Sequence, residues 1–207
     1  MKKFFLLLTL SLVTLPSFSQ IDPESKWQIR VRGLLVQPVE TAKIGLINGD
    51  VNISSAVVPE LDITYFFNEN WAVELILGTA KHDVKATGTT LGDLDLGNVY
   101  LLPPTLTAQY HLPMGNFKPY MGAGINYTIF YNEDAAGFEG ISYENSIGFA
   151  AQVGVDYFLN ERFFVNLDVK KIFMNTDVEV NAGDGVIVPA DVTINPFLFG
   201  FGVGMRF

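Results

Sequence analysis

The chain has 207 residues, no cysteine and a formal net charge of −9 at pH 7. This length fits one domain, and the absence of cysteine excludes a disulfide scaffold and a thiolate metal site. The acidic balance excludes nucleic acid as a partner, because such a chain cannot neutralise a phosphate backbone.

The first 19 residues have the three regions of a secretory signal peptide. Lys2 and Lys3 give a basic start, an apolar run extends from Phe4 to Leu15, and a small-residue cleavage site ends at Ser19. We therefore predict a signal peptide at 1–19 and one exported domain at 20–207, with a retained anchor as the alternative. No later stretch approaches the roughly 18 consecutive apolar residues of a membrane helix, so the apolar residues must fill a core or face lipid on alternating strands.

Alternation of apolar with polar or small residues marks eight strands in the rest of the chain. They are 27–37, 57–66, 71–82, 99–110, 119–131, 147–158, 163–173 and 192–207. Most reach the roughly 9–11 residues that a tilted strand needs to cross a bilayer. The pattern predicts an all-β fold, a closed eight-stranded antiparallel up-and-down β-barrel in the bacterial outer membrane.

The connections between these strands alternate in length. Those at 67–70, 111–118 and 159–162 are short, and those at 38–56, 85–98, 132–146 and 174–191 are long. Outer-membrane barrels have short turns in the periplasm and long loops outside the cell. Aromatic residues such as Trp71, Tyr110 and Phe163 gather at the short turns, where an aromatic girdle is expected.

The last strand has one apolar face and one face of small residues. Every second residue from Phe197 to Phe207 is apolar, and Gly200, Gly202 and Gly204 lie between them. We expect lipid and lipopolysaccharide on the apolar face. The aromatic carboxyl terminus, Phe207, is the usual ending of an outer-membrane barrel, so we also expect the barrel-assembly machinery to bind this strand. We expect the barrel to be a monomer.

A soluble, lipocalin-like barrel of eight strands is the rival architecture. Its polar face would meet water and would carry many lysines and glutamates. Here the polar face is mostly Gly, Asn, Gln, Thr and Ala, which suits the crowded inside of a narrow barrel.

Three long motifs lie in the fourth, fifth and sixth strands. They are LPPTLTAQY at 102–110, PYMGAGINYT at 119–128 and QVGVDY at 152–157. These motifs resemble the OmpW family of small outer-membrane barrels, and the resemblance covers essentially the whole mature chain. It implies an eight-stranded barrel that takes part in the passage of small, mostly hydrophobic molecules across the outer membrane.

Because side chains alternate between the two faces of a strand, a group of charged residues is predicted to face the periplasmic and middle part of the lumen. We call this group the polar plug. Its predicted members are Arg30, Arg32, Glu60, Asp62, Glu74, Asp156, Asp168, Lys170 and Arg206. Charges enclosed in a barrel must pair, because desolvating an unpaired charge is costly. Since the last strand neighbours the first, we expect Arg206 near Arg30 and Arg32, with Glu60 and Asp62 beside them.

Toward the extracellular end the inward residues become apolar, and we call this group the funnel. Its predicted members are Leu34, Val36, Val58, Ile76, Leu101, Phe130, Ile172 and Leu198. An apolar funnel above a polar plug suits the capture of a hydrophobic molecule. The alternative is that these side chains pack against one another and close the lumen.

Pro103 and Pro104 lie in the fourth strand, just below Leu101. Proline has no N–H for a β-ladder, and two adjacent prolines remove one donor toward each neighbouring strand. The resulting gap is a candidate lateral opening into the lipid, as the family resemblance also suggests. The alternative is a β-bulge that only curves the strand.

Other chemistry is sparse. No placed serine completes a nucleophile–base set beside His82 and Asp83, and each lumen carboxylate has a cation available, which disfavours acid–base catalysis. The acidic loops lack EF-hand spacing. We therefore predict no enzyme, no cofactor and no metal site. Two functions remain: a passive conduit for small hydrophobic solutes, or a structural or surface-interaction barrel that transports nothing.

Overall fold

The computed structural model describes residues 25–44 and 47–207, so the predicted signal peptide at 1–19 lies outside it. Within the described residues there is no helix long and apolar enough to cross a membrane. The strands are β1 (Trp27–Gln37), β2 (Glu40–Ile44), β3 (Asp50–Ile53), β4 (Ala56–Phe66), β5 (Trp71–Gly78), β6 (Ala80–Thr89), β7 (Gly92–Leu102), β8 (Thr105–His111), β9 (Phe117–Asp134), β10 (Gly140–Tyr143), β11 (Ser146–Phe158), β12 (Phe163–Asn181), β13 (Ile187–Ile194) and β14 (Phe197–Arg206).

Eight of these strands close into an antiparallel ring. Their order is β1, β4, β5, β8, β9, β11, β12 and β14, and β14 pairs back with β1. The closing pair runs from Gln28 opposite Arg206 to Gln37 opposite Phe197. The predicted closed barrel of eight antiparallel strands is therefore confirmed.

The period-two pattern of the sequence decides which side chains enter the barrel. On β1, Arg30 and Arg32 are almost fully buried, whereas Val31 between them is 54% exposed on the outer surface. On β14, Phe201 faces outward, and a Cβ atom on the inward Gly202 would collide with the backbone of β1. Glycine at this position therefore lets β14 lie close against the side chains of the plug.

Aromatic side chains ring the end of the barrel that carries the short turns. The centroids of Trp27 and Tyr65 lie 4.9 Å apart, and those of Trp71 and Tyr110 lie 5.0 Å apart. Trp71 is 52% exposed, so these rings face outward rather than into a core. Amphipathic rings at this position suit the boundary between lipid tails and water.

The long connections differ from the prediction, because much of their length is β-sheet. The prediction of a loop at 174–191 is wrong: β12 continues to Asn181 and pairs with β13 from Met174 opposite Ile194 to Asn181 opposite Ile187. The physical reason is that the alternation continues there, with Val178 and Val180 buried between exposed acidic residues. One side of this hairpin is therefore apolar and packs inward.

The other long connections contribute to the same wall. It consists of β2, β3, β6, β10 and β13 with the outer parts of β7, β9 and β12, and we call it the outer extension. Its inward side chains join those of the ring in one apolar cluster that includes Val84, Val99, Phe130 and Val192. The barrel interior is thus continued by sheet beyond the ring.

Candidate functional site

An apolar cavity of about 270 Å³ lies in the outer half of the barrel and in the outer extension. The structure brings all eight predicted funnel residues together on its lining: Leu34, Val36, Val58, Ile76, Leu101, Phe130, Ile172 and Leu198. Glu60 and Lys170 of the plug line it as well. The cavity therefore begins directly above the plug.

Sequence reasoning missed the part of the lining that the outer extension supplies. These residues are apolar and face inward from segments predicted as loops; they include Ile44, Val51, Leu96, Met174, Val178 and Val180. The signal that could have found them is the alternation itself, which does not stop at the predicted strand ends. The cavity is consequently deeper than the eight funnel residues alone would make it.

Arg30 anchors the periplasmic half of the polar plug. Its guanidinium forms an ion pair with Glu74, and its Nη2 lies 2.9 Å from Asp156 Oδ2. Nη1 also donates to Thr64 Oγ1 at 2.9 Å, and the guanidinium lies 5.3 Å from the ring centroid of Tyr120. Every group in this set is nearly inaccessible to solvent, so these contacts replace the lost hydration.

Arg32 and Lys170 hold the half of the plug that faces the cavity. Arg32 Nε lies 2.9 Å from Glu60 Oε1, and its Nη2 lies 2.7 Å from Asp62 Oδ2. Lys170 Nζ lies 2.8 Å from Glu60 Oε1 and 3.1 Å from Asp168 Oδ1. Glu60 and Asp168 thus join the two cations into one network across the lumen.

The plug holds more carboxylates than cations. Its cations are Arg30, Arg32 and Lys170, and its carboxylates are Glu60, Asp62, Glu74, Asp156 and Asp168. Each of these cations forms ion pairs with at least two of the carboxylates. Among the described residues, Asp62 forms an ion pair with Arg32 alone and Asp156 with Arg30 alone, so each loses its ion-pair partner when that cation is removed.

The predicted position of Arg206 beside Glu60 and Asp62 is wrong. The register places Arg206 opposite Gln28, whereas Arg32 lies opposite Gly202. Arg206 Nε donates to the carbonyl oxygen of Ser25 at 2.9 Å, and its guanidinium lies 4.5 Å from the ring centroid of Phe66. Arg206 therefore belongs to the periplasmic rim and not to the polar plug.

Strand pairing is interrupted beside the two prolines. On the side of β5 and β6, pairing stops at Ile76 opposite Thr105 and resumes at Ala80 opposite Leu101. The register is the same on both sides of this interruption, so ladder hydrogen bonds are lost there without a slip of the chain. The interruption at Pro103 and Pro104 is thus not a β-bulge.

Pairing also stops toward β9, between Leu102 opposite Ile129 and Thr105 opposite Asn126, but other hydrogen bonds bridge this gap. Toward β9, the amide of Tyr127 donates to the carbonyl oxygen of Pro104 at 3.0 Å, and Asn126 Nδ2 donates to that of Pro103 at 3.2 Å. These contacts bridge the prolines to β9 although neither proline has an N–H. Hydrogen bonds to both prolines therefore bridge the gap toward β9, and the longer interruption lies between the β5–β6 and β7–β8 segments.

Thr79, between β5 and β6, borders this interruption and was not predicted as a site residue. Its Oγ1 donates to the carbonyl oxygen of Leu101 at 3.1 Å and lies 2.7 Å from the hydroxyl of Tyr131. Thr79 is exposed on the outer surface, yet it lines the same cavity as Pro103. The cavity therefore reaches the barrel wall at this point.

The closed ring, the apolar outer surface, the aromatic girdle and the charged interior define a β-barrel of the outer membrane. The OmpW family model matches residues 24–207 of this chain. The chain belongs to the OmpW family, and it is an outer-membrane protein, which confirms the predicted family and location and excludes the soluble lipocalin-like barrel. Barrels of this family are not enzymes, in agreement with the sequence prediction.

Similar proteins agree with this assignment. The chain is 48% identical over 188 residues to an uncharacterized outer-membrane protein, y4mB, of Sinorhizobium fredii, which covers 88% of this chain and 80% of that protein. It is 30% identical over 191 residues to the dibenzothiophene metabolism operon protein PahQ of Pseudomonas aeruginosa, over 89% and 90% of the two chains. The crystal structure of the outer membrane protein OprG of Pseudomonas aeruginosa superposes with a TM-score of 0.78 at 30% identity, covering 88% of this chain and 96% of that one.

An acidic pair on the extracellular hairpin of β12 and β13 leads to a prediction about pH. Asp177 lies opposite Asp191, and the hydrogen bond between their side chains raises the pKa of Asp177. A raised carboxyl pKa stabilises the fold at low pH, and this stabilisation is lost as pH rises through that pKa. We expect amide hydrogen exchange in β12 and β13, corrected for intrinsic rates, to be slower at acidic than at neutral pH.

The matched variant is Asp191→Asn, which keeps a hydrogen-bonding side chain and removes one charge. It should give slow exchange at both pH values and so abolish the difference. The same pH difference in the variant and the wild type would contradict the shared-proton explanation.

Proposed function

We propose that this barrel gives passive passage to small, mostly hydrophobic molecules through the apolar cavity and a lateral opening beside Pro103. The observation that carries the proposal is one continuous apolar cavity that starts above an ion-paired plug and reaches the wall where strand pairing is interrupted. Its lining comes from the funnel and from the outer extension. An apolar lining favours apolar solutes, because polar ones would lose hydration without new hydrogen bonds.

The plug supports a sideways exit. Eight strands leave little space along the barrel axis, and here that space holds the side chains of Arg30, Arg32 and Lys170 with their carboxylate partners. Axial passage would have to break several buried ion pairs at once. A molecule that leaves beside Pro103 enters the lipid directly and leaves the plug intact.

The names of relatives agree with an apolar cargo. PahQ, which is similar over 89% of this chain, is named for dibenzothiophene metabolism. Dibenzothiophene is an apolar aromatic compound, and a cavity of this lining suits that class of solute.

Pro103 and Pro104 have different expected roles, which leads to a test of the lateral opening. The carbonyl oxygen of Pro104 already accepts a bond from β9, so the alternation of an extended chain turns the nitrogen of Pro103 toward the interruption, opposite Gly78. Pro103→Ala restores a donor there, worth about 0.5–1.5 kcal/mol. We expect uptake of an apolar solute into proteoliposomes to fall roughly two- to tenfold.

Pro104→Ala is the matched control, because its new donor faces β9, which is bridged already. It should leave apolar uptake unchanged, and the uptake of a polar solute of similar size should be low in all three proteins. Equal uptake by wild type and Pro103→Ala would contradict the lateral opening. Equal uptake of apolar and polar solutes by the wild type would contradict the proposed selectivity and favour the structural or surface-interaction barrel.

A further inference from the structure

His82 is a polar side chain on the lining of the otherwise apolar cavity. It projects inward from β6 and is only 4% exposed. Its Nδ1 lies 2.5 Å from the carbonyl oxygen of Ser54. A carbonyl oxygen can only accept, so Nδ1 carries the proton and Nε2 of the neutral ring is a hydrogen-bond acceptor.

The backbone around Ser54 holds this ring in place. Ser54 N donates to the carbonyl oxygen of Asp83 at 3.0 Å, and the amide of Asp83 donates to Ser54 Oγ at 2.9 Å. With Nδ1 turned toward Ser54, Nε2 lies on the other edge of the ring of this cavity-lining residue, and it has no partner in the described part of the chain. Burial also lowers the pKa of His82, which keeps the ring neutral.

Other polar groups on the lining have partners or are covered. The threonine hydroxyls each have a partner within the described residues; these are Thr79, Thr105, Thr128 and Thr176. Lys170 and Glu60 pair with each other, and the hydroxyl of Tyr143 is buried in the wall. Nε2 of His82 is therefore an acceptor on a cavity-lining side chain that has no partner within the described residues.

We propose that His82 is a binding position for the hydroxyl group of a neutral, mostly apolar molecule such as a phenol or an alcohol, which donates its hydrogen to Nε2. This inference rests on the proposed function, because it assumes that small molecules occupy the cavity. A molecule with a hydroxyl group and an apolar body can donate a hydrogen bond to Nε2 and pack its apolar part against the cavity wall. An ether or a ketone of the same shape has no hydrogen to donate, so it gains only the contacts with the wall.

The test uses phenol and its methyl ether, anisole, as probes of the full chain in lipid nanodiscs, with protein-free nanodiscs as the blank. The measured quantity is the ratio of the Kd of anisole to the Kd of phenol. We expect this ratio to be about two- to tenfold larger for the wild type than for His82→Phe. His82→Phe keeps a flat ring and removes the acceptor. Thr128→Val is the matched control, because it removes a lining hydroxyl that is already bonded to Asn126, and it should keep the preference for phenol.

A second measurement needs no variant. The chain has two histidines, so imidazole nitrogen shifts can be followed individually in the wild type. Phenol should move the Nε2 signal of His82, and anisole should not. His111 is the internal reference, because its Nε2 lies 2.9 Å from Gln109 Oε1 within the lower lumen.

The outcomes separate this inference from the proposed function. Binding of both probes without a preference for phenol, or a His82 signal that phenol leaves in place, overturns the role of His82 and leaves the conduit intact. Binding of neither probe overturns both proposals. A preference for phenol that persists in His82→Phe also overturns the role of His82, because another group must then accept the hydrogen bond.

Discussion

Arg32→Met should lower the stability of the folded barrel by about 3–5 kcal/mol, the cost of removing one partner from a buried ion pair. Arg32 lies 2.9 Å from Glu60, 2.7 Å from Asp62 and 3.5 Å from Asp168. In the variant, Lys170 still forms ion pairs with Glu60 and Asp168, but Asp62 keeps no ion-pair partner among the described residues. The measurement is the midpoint of urea unfolding, followed by the different migration of folded and boiled barrel on a denaturing gel.

Two further variants test the reason for this loss. Arg206→Met removes a cation that lies at the periplasmic rim, so its effect should be much smaller. Adding Asp62→Asn to Arg32→Met removes the stranded charge and should recover part of the stability, a non-additive result expected for direct partners. A similar loss in Arg32→Met and Arg206→Met, without recovery in the double variant, would show that the ion-pair network does not account for the stability.

Leu34→Trp should reduce uptake of apolar solutes to the level of protein-free liposomes. Leu34 is 4% exposed and lines the cavity, so a larger side chain there occupies space that a solute needs. The cavity of about 270 Å³ can hold the added indole atoms, so the barrel should still fold and insert. The measurement is the uptake rate of an apolar solute into proteoliposomes at equal amounts of folded protein.

Leu35→Trp is the matched control for this prediction. Leu35 neighbours Leu34 in the sequence but faces outward and is 41% exposed, so a tryptophan there meets lipid and leaves the cavity free. Uptake should remain at the wild-type level. If Leu34→Trp transports as well as Leu35→Trp, the solute takes another path, or the barrel transports nothing and acts through its extracellular surface.

The sequence by itself determined the barrel and the two faces of its strands. A period of two over strands such as 27–37 assigns each side chain to lipid or to lumen, because adjacent residues of a strand point to opposite faces. For this reason the eight funnel residues could be named in advance, and the structure places all of them on one cavity. The same parity explains why most of the predicted plug charges meet in the structure.

Only the tertiary structure decided the heights and the partners of these residues. Parity does not give the register between β14 and β1, and this register places Arg206 at the rim rather than beside Asp62. Local pattern also could not reveal that β9 bridges both prolines or that the carbonyl oxygen of Ser54 binds Nδ1 of His82. The physical reason is that such contacts join residues far apart in the chain, and their positions are set by strand register and by folded connections rather than by alternation.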